Sequence, residues 1–274
     1  MNFKLLMYMI KIKALLQFIP MLFSNFTEIK KLIFNFVLFK QSEKNCRKYT
    51  LPKVISISDL VSDFDEKISK YTFLSDTSLD IDIALIKAMA RQIPNCDYLE
   101  IGSFRGESIM NLVPEVQSAT SISLDKEELR MIGALNDQIE AEGCLIQSAP
   151  NYTRIQHNSH TFDFSSLGKK FDLIFIDGDH SEEGVIIDTH NAFKFLKNEN
   201  SIIIWHDFGS LASFMRYDVI AGVYRATTAE QQKYIYRVKN TLCGIFIQKN
   251  LQELQTVNPY LPDDLYDVTI KMHA

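Results

Sequence analysis

Phe171-Asp172-Leu173-Ile174-Phe175-Ile176-Asp177-Gly178-Asp179-His180 is the stretch whose reading decides the fold. Leu173 to Ile176 are four apolar residues in a row, the pattern of a strand covered on both faces of a parallel sheet. Immediately afterwards two carboxylates and an imidazole fall within four residues, around a glycine. Polar groups at the carboxyl end of a central parallel strand lie where open α/β sheets bind ligands. Asp-Gly-Asp alone is equally a plain turn after a strand. The neighbouring segments decide between site and turn.

Outward from that stretch, strand and helix alternate. Tyr98 to Gly102 reads as a first strand, followed by a helix over Glu107 to Val113 that Pro114 stops. Ala119 to Leu124 is a second strand, closed by Asp125, and Lys126 to Glu142 is helical or partly irregular. Tyr152 to His157 is the third strand, Phe171 to Asp177 the fourth and Ser201 to His206 the fifth, with a helix over Glu182 to Leu196 between the last two. This alternation predicts an α/β fold with a parallel sheet and right-handed crossovers. Tyr234 to Val238 and Gly244 to Gln248 are separated only by Lys239 to Cys243. That is hairpin spacing, so the last pair should be antiparallel. Upstream, Leu79, Ile83, Leu85, Ile86 and Met89 recur at helical spacing until Pro94 and Asn95. Four parts result: basic amphipathic helices over 1–48, a connector over 49–80, the alternating domain over 81–250 and a tail over 251–274.

The 274 residues are 46% hydrophobic and 23% charged, which is ordinary globular composition. The net charge of -5 hides an asymmetry: residues 1–50 hold nine Lys and Arg against two Glu, a net of +7, and the rest of the chain carries -12. A basic end on an acidic body argues against nucleic acid as a partner and for an anionic surface that meets only the N-terminus. Cys46, Cys96, Cys144 and Cys243 are scattered, without a Cys-x-x-Cys pair. They form neither a zinc pattern nor a disulfide framework and suit a reducing, cytoplasmic setting. The uncharged run between Lys13 and Glu28 holds Gln17, Pro20, Ser24 and Asn25. It is shorter than the ~20 apolar residues of a spanning helix. Three readings of residues 1–45 stay open: a helix lying on the inner membrane face, helices packing on the domain or on a second copy in a homo-oligomer, or a spanning or signal segment, which the short run and Pro20 disfavour.

The first strand ends in Glu100-Ile101-Gly102-Ser103-Phe104-Arg105-Gly106-Glu107-Ser108. This is not Gly-x-Gly-x-x-Gly, because position 104 is Phe and position 107 is Glu. That dinucleotide fingerprint brings a pyrophosphate to a helix N-terminus; here Glu100 and Glu107 would repel it. They suit a ligand with an amino group and no phosphate. Gly102 and Gly106 allow close backbone approach, and Asp125 ends the second strand where ribose hydroxyls are accepted. Ser103 and Ser108 in the turn, Ser159 after the third strand and Asp177 complete the candidate cofactor contacts. An ammonium, a sulfonium, a ribose and an adenine without phosphate describe S-adenosyl-L-methionine.

Between about Leu74 and Lys249 the chain resembles class I S-adenosylmethionine-dependent methyltransferases, and most of all the bacterial, methyltransferase 24-like O-methyltransferases that carry Asp-Gly-Asp-His after the fourth strand. The residues that carry the resemblance are Tyr98 to Ser108, Phe171 to His180, Ile204-Trp205-His206-Asp207 and Thr241 to Ile245. It implies a Rossmann-like three-layer sandwich whose sheet has seven strands, the last antiparallel. It also implies methyl transfer to a hydroxyl, on analogy a sugar hydroxyl of a bacterial glycan or glycolipid. In metal-dependent relatives the Asp of the fourth strand and an acidic pair after the fifth hold a divalent cation, and the His three residues on is the base. Those roles fall on Asp177, on His206 with Asp207, and on His180; His206 departs from the carboxylate or amide of some relatives.

The residue types agree. Asp177, Asp207 and His206 offer oxygen and nitrogen ligands suited to Mg²⁺ or another divalent cation, and His180 titrates near working pH and can take a proton. Asp177, His180 and Asp207 are therefore the candidate catalytic residues. A metal-free enzyme with His180 as sole base, a nucleotide-binding oxidoreductase and a non-catalytic membrane module stand as alternatives. Asp179 reads as a helix cap or a site residue, Asp163 as a cap or an adenine contact, and Trp205 as core.

Overall fold

The computed structural model describes residues 26–209, 216–254 and 264–272. Eight strands form one sheet: β1 (Lys53–Ile55), β2 (Asp97–Ile101), β3 (Ser118–Ser123), β4 (Tyr152–Gln156), β5 (Leu173–Ile176), β6 (Ile202–Trp205), β7 (Ile235–Val238) and β8 (Gly244–Phe246). Their order across the sheet is β1-β7-β8-β6-β5-β2-β3-β4. The helices are α1 (Phe26–Cys46), α2 (Asp80–Arg91), α3 (Glu107–Leu112), α4 (Lys126–Met131), α5 (Asn136–Ala141), α6 (Glu182–Lys194), α7 (Tyr217–Ala226) and α8 (Ala229–Gln232).

The layers follow from the strands' period of two. Leu173 and Phe175 of β5 face one side with Ile202 and Ile204 of β6, and there α2 and α3 contribute Leu85, Ile86, Met89, Ile109 and Leu112. Ile174, Ile176, Ile203 and Trp205 face the other side, against Val185 of α6, Val219, Ile220 and Val223 of α7, and Cys46 of α1. All four residues of β5, and all four of β6, are buried. A parallel sheet covered by helices on both faces has that signature.

Two expectations change. The sheet has eight strands and not seven, because the connector supplies β1, which pairs parallel with β7 from Lys53↔Tyr236 to Ile55↔Val238. The hairpin stands as expected, but its antiparallel strand lies inside the sheet: β8 runs antiparallel to β6 and to β7. Five residues cannot make a crossover, so the chain must turn straight back. β7 then points with the other strands and leaves an open edge, which β1 covers. In addition, Lys126 to Glu142 forms two short helices, α4 and α5, with Gly133 at φ 79° between them. Of the expected N-terminal helices, residues 1–25 lie outside the described residues. No described helix is long and apolar enough to cross a membrane.

β2 pairs with β3 on one side and β5 on the other, and the chain then proceeds outward in opposite directions, to β4 and to β6. The carboxyl ends of β2 and β5 therefore flank a topological switch point, where such sheets open a crevice.

Candidate active site

The turn after β2 is built tightly. Gly102 lies at φ 87° and donates its N–H to the Ile122 carbonyl at 2.8 Å. A Cβ on Gly102 would stand 2.1 Å from the carbonyl oxygen of Asp177, and one on Gly106, at φ 99°, would stand 2.4 Å from the Ile146 side chain. Both glycines are thus required by neighbouring protein atoms, and not only by approach of a ligand. Ser103 is buried, and its hydroxyl has no hydrogen-bond partner. An orphaned hydroxyl in such a turn fits a polar ligand group.

The acidic residues of the turn correct the sequence reading. Glu100 has no exposed surface; its two oxygens accept from the hydroxyls of Tyr98 and Ser108, each at 2.6 Å. Burial pushes its carboxyl up to about 8, against the opposing pull of Ser108 and Tyr98. Glu100 and Ser108, expected to meet the cofactor, satisfy each other beneath the turn instead. Glu107 is likewise turned inward. It pairs with Arg105 at 3.1 Å and accepts from Thr77 at 2.7 Å and from both the backbone and hydroxyl of Thr72, at 2.9 and 2.5 Å. Arg105 also donates to the Ser75 carbonyl at 2.9 Å and to the Thr77 hydroxyl. The segment 72–78 is thereby strapped across the turn.

The ends of β5 and β6 carry a cluster of a different kind. His180 Nε2 lies 3.2 Å from Asp177 Oδ1 and 3.2 Å from Asp207 Oδ2. His206 Nδ1 lies 3.2 Å from Asp177 Oδ1 and 3.6 Å from Asp207 Oδ1, while its Nε2 meets Asp82 Oδ2 at 3.0 Å. Asp82, from the first turn of α2, is fully buried and also accepts from the backbone N–H of Leu79 at 3.0 Å and of Leu242 at 2.8 Å. Ser78 donates to Asp177 Oδ2 at 3.1 Å and Arg216 to Asp207 Oδ2 at 3.3 Å. Asp207 sits at φ 56°, a left-handed conformation that Asp adopts more readily than most residues. It aims the carboxylate back at His180.

Burial alone would lower the basicity of His206, but Asp177 and Asp82 outweigh it and hold its pKa well above the usual histidine range. For His180 burial again opposes and the contacts with Asp177 and Asp207 again prevail, so its pKa is raised. Burial would raise Asp177, yet the facing His206 and His180 hold its carboxyl far below the carboxylate range.

This arrangement does not fit the divalent cation expected at Asp177, His206 and Asp207. A metal-bound imidazole keeps one nitrogen free of a proton. Here both nitrogens of His206 face carboxylates, Asp177 at Nδ1 and Asp82 at Nε2, which favours the protonated ring. The place between Asp177 and Asp207 is filled by His180 Nε2. Among the described residues no group of three or more His, Cys, Asp or Glu side chains is arranged to hold a metal ion.

Of the other expected contacts, Asp125 is the N-cap of α4: its Oδ1 accepts from the backbone of Glu128 at 2.7 Å. Glu128 in turn accepts from the Asn158 N–H at 3.0 Å, tying the ends of β3 and β4 together. Asp179 accepts from the N–H and hydroxyl of Ser181, the N-cap of α6, and so buttresses that helix. Asp163 caps a short 3₁₀ turn, and Trp205 is buried with its N–H on Thr189. Beside Ser159 lies a residue the sequence reading passed over: Asp188, fully buried, with its carboxyl raised to about 6 by burial against the opposing pull of Ser159 and of His160, whose Nε2 lies 3.9 Å away. Asp82, Ser78 and Arg216 were also missed. An acidic residue next to the apolar stripe of α2 was the one local signal for Asp82, and its partners lie 124 and 160 residues away.

Residues 99–208, from inside β2 to just past Asp207, match the model of a family described as a methyltransferase domain. No curated protein matches the chain. Similar solved structures include an O-methyltransferase from Bacillus cereus in complex with SAH, 12% identical, with 64% of this chain and 84% of that one covered and a TM-score of 0.43. Another is a putative caffeoyl-CoA O-methyltransferase from Staphylococcus aureus, 19% identical over 62% and 83% of the two chains, TM-score 0.43. A third is the SAH-bound methyltransferase PaMTH1 of Podospora anserina, 15% identical over 66% and 83%, TM-score 0.44. Likeness at this level adds nothing to the topology read from the sheet itself.

Proposed function

We propose that this chain, whose residues 99–208 match the model of a methyltransferase domain, is a class I S-adenosylmethionine-dependent methyltransferase that methylates a hydroxyl group, that of a sugar in a glycan or glycolipid, with His180 as the base and without a metal ion. The observation that carries this reading is the contact between the two halves of the crevice. Gly102 is packed against the Asp177 carbonyl, so the glycine turn and the loop bearing the base are immediate neighbours.

S-adenosylmethionine, when bound, supplies a methyl group on a sulfonium, open to in-line displacement by oxygen. Ser103, with its unpartnered hydroxyl, and the end of β3 at Asp125 are the residues that suit it. The chain's own work lies on the acceptor. A sugar hydroxyl is a poor nucleophile until its proton leaves. Neutral His180, its Nε2–H held by Asp177 and Asp207, takes that proton at Nδ1, and the two carboxylates stabilise the imidazolium that forms. As the O–C bond forms, the C–S bond breaks and the neutral thioether departs. Such a positioned base contributes about 10²–10⁴-fold, and alignment of the partners contributes up to ~7–11 kcal/mol. His206 stays protonated between Asp177 and Asp82, fixing the Asp177 carboxylate that orients the base.

Isothermal titration with S-adenosylhomocysteine tests the reading. Binding is expected, weakened about tenfold in Ser103→Ala through the loss of one hydrogen bond. No binding at millimolar ligand overturns the proposal. Methyl transfer is expected to persist in excess EDTA; loss of turnover there restores the metal at Asp177, His206 and Asp207.

A further inference from the structure

We infer that α1 docks the protein on an anionic lipid bilayer and presents the active site to a lipid-linked acceptor; the second half of this inference rests on the methyl-transfer reading above. The two halves of α1 differ sharply. Its C-terminal half is fastened to the body: Ser42 donates to Glu182 at 2.9 Å, Asn45 donates to the same carboxylate at 3.2 Å, Cys46 is buried and Phe39 meets Tyr217 edge-on at 5.7 Å. Further toward the N-terminus, Ile33, Phe34, Phe36, Val37 and Leu38 are 47–62% exposed. Five large apolar side chains bare on one helix call for a partner.

Charge identifies that partner. Residues 33, 37, 40, 44 and 47 follow one helical stripe. It begins with Ile33 and Val37 and continues with Lys40, Lys44 and Arg47. Lys48 follows, and Glu43 is the single carboxylate among these cations. An apolar segment bordered by a basic collar matches hydrocarbon bordered by anionic headgroups. A cavity of about 370 Å³ at the foot of the collar is lined by Asn45, Lys48, Tyr49 and Arg225; Glu182 holds Asn45 at 3.2 Å and Arg225 at 2.6 Å, and Lys48 is the group there that suits a lipid phosphate. The body, at -12 against +7 for residues 1–50, is repelled by the same surface, which fixes the orientation. No described helix is long and apolar enough to cross the bilayer, so α1 would lie on it.

The helix is also joined to the acceptor half of the crevice. Glu182, its main anchor, follows His180 by two residues. Tyr217, its aromatic contact, follows Arg216, which reaches Asp207. Docking through α1 therefore brings the base side of the site to the headgroup layer.

The experiment is co-sedimentation of the full chain with phosphatidylcholine vesicles with and without phosphatidylglycerol. Binding only to the anionic vesicles is expected, reduced at least tenfold in Ile33→Asp/Val37→Asp and in Lys44→Glu/Lys48→Glu. Circular dichroism and binding of S-adenosylhomocysteine should stay unchanged in both variants. Equal binding to neutral vesicles, no binding, or a dimer by light scattering that Ile33→Asp/Val37→Asp dissolves would overturn the docking. Binding to vesicles without binding of S-adenosylhomocysteine would leave docking in place and sink the methyl-transfer reading. Methyl-labelled S-adenosylmethionine given with host-cell membranes should label the lipid extract, and the Ile33→Asp/Val37→Asp variant should lose most of that label. Label confined to soluble material refutes the lipid-linked acceptor.

Discussion

At the end of β2 the acidic groups are closed in: Glu100 is held by two hydroxyls and Glu107 by Arg105 and two threonines. At the ends of β5 and β6 they face imidazoles and stay within reach of solvent, with the side chains of Asp177 20% exposed, Asp207 21% and His180 39%. The two regions are in backbone contact, yet one is a closed scaffold, in which burial favours the neutral form of Glu100 and Glu107 is paired with Arg105, and the other an array of alternating charge within reach of solvent. The difference teaches where acidic residues near a ligand turn act. A carboxylate in the motif need not touch the ligand: burial turns Glu100 into a structural group that behaves as a neutral acid, and Arg105 turns Glu107 into half of a structural ion pair.

The comparison breaks most visibly at Asp82. Asp82→Ala leaves the charged His206 and the Leu242 N–H without their partner, and removal of one member of a buried pair costs about 3–5 kcal/mol. Urea unfolding should show that loss, with Asp82→Asn milder. An unchanged midpoint would mean the acceptor half is not held by charge.

Glu100 tests the opposite half. Its folded carboxyl titrates near 8 against 4.5 in an exposed chain. The folded state therefore keeps a proton that the unfolded chain releases, and stability falls as pH rises between those values. Glu100→Gln removes that dependence. The variant should match the wild type near pH 4.5 and exceed it by on the order of 4 kcal/mol at pH 8, as read by denaturant titration across pH. A constant difference would show that Glu100 is ionised in the fold.

The smallest effect sharpens the comparison. The raised pKa of His180 means that its protonated form stabilises the fold at low pH, and that this contribution is lost as pH rises through the raised value. Imidazole NMR should place the titration above 6.5. Asp207→Asn should move it down while reducing turnover less than tenfold, against about 10²–10⁴-fold for His180→Ala.

Much of the fold was legible, because β2, β5 and β6 are buried on both faces and so read as apolar runs broken by glycine and charge. β1 was not: three residues, Lys53-Val54-Ile55, carry no period, and only the open edge of β7 makes them a strand. The site was legible at Asp177, His180 and Asp207, which end their strands together. Glu100 was misread although Tyr98, two residues earlier on the same strand face, was its partner in plain view. For Asp82 and Arg216 the partners are set by tertiary structure, and no local spacing announces them.

The carboxylate of Asp82 joins three parts of the chain that are synthesised at different times: α2, His206 after β6, and the Leu242 backbone just before β8. A ribosome that has made every catalytic candidate, up to Asp207, has still not made the turn that completes this junction. The nascent protein therefore reaches its charge-locked form only after residue 242 has emerged and the β7–β8 hairpin has taken its place between β6 and β1.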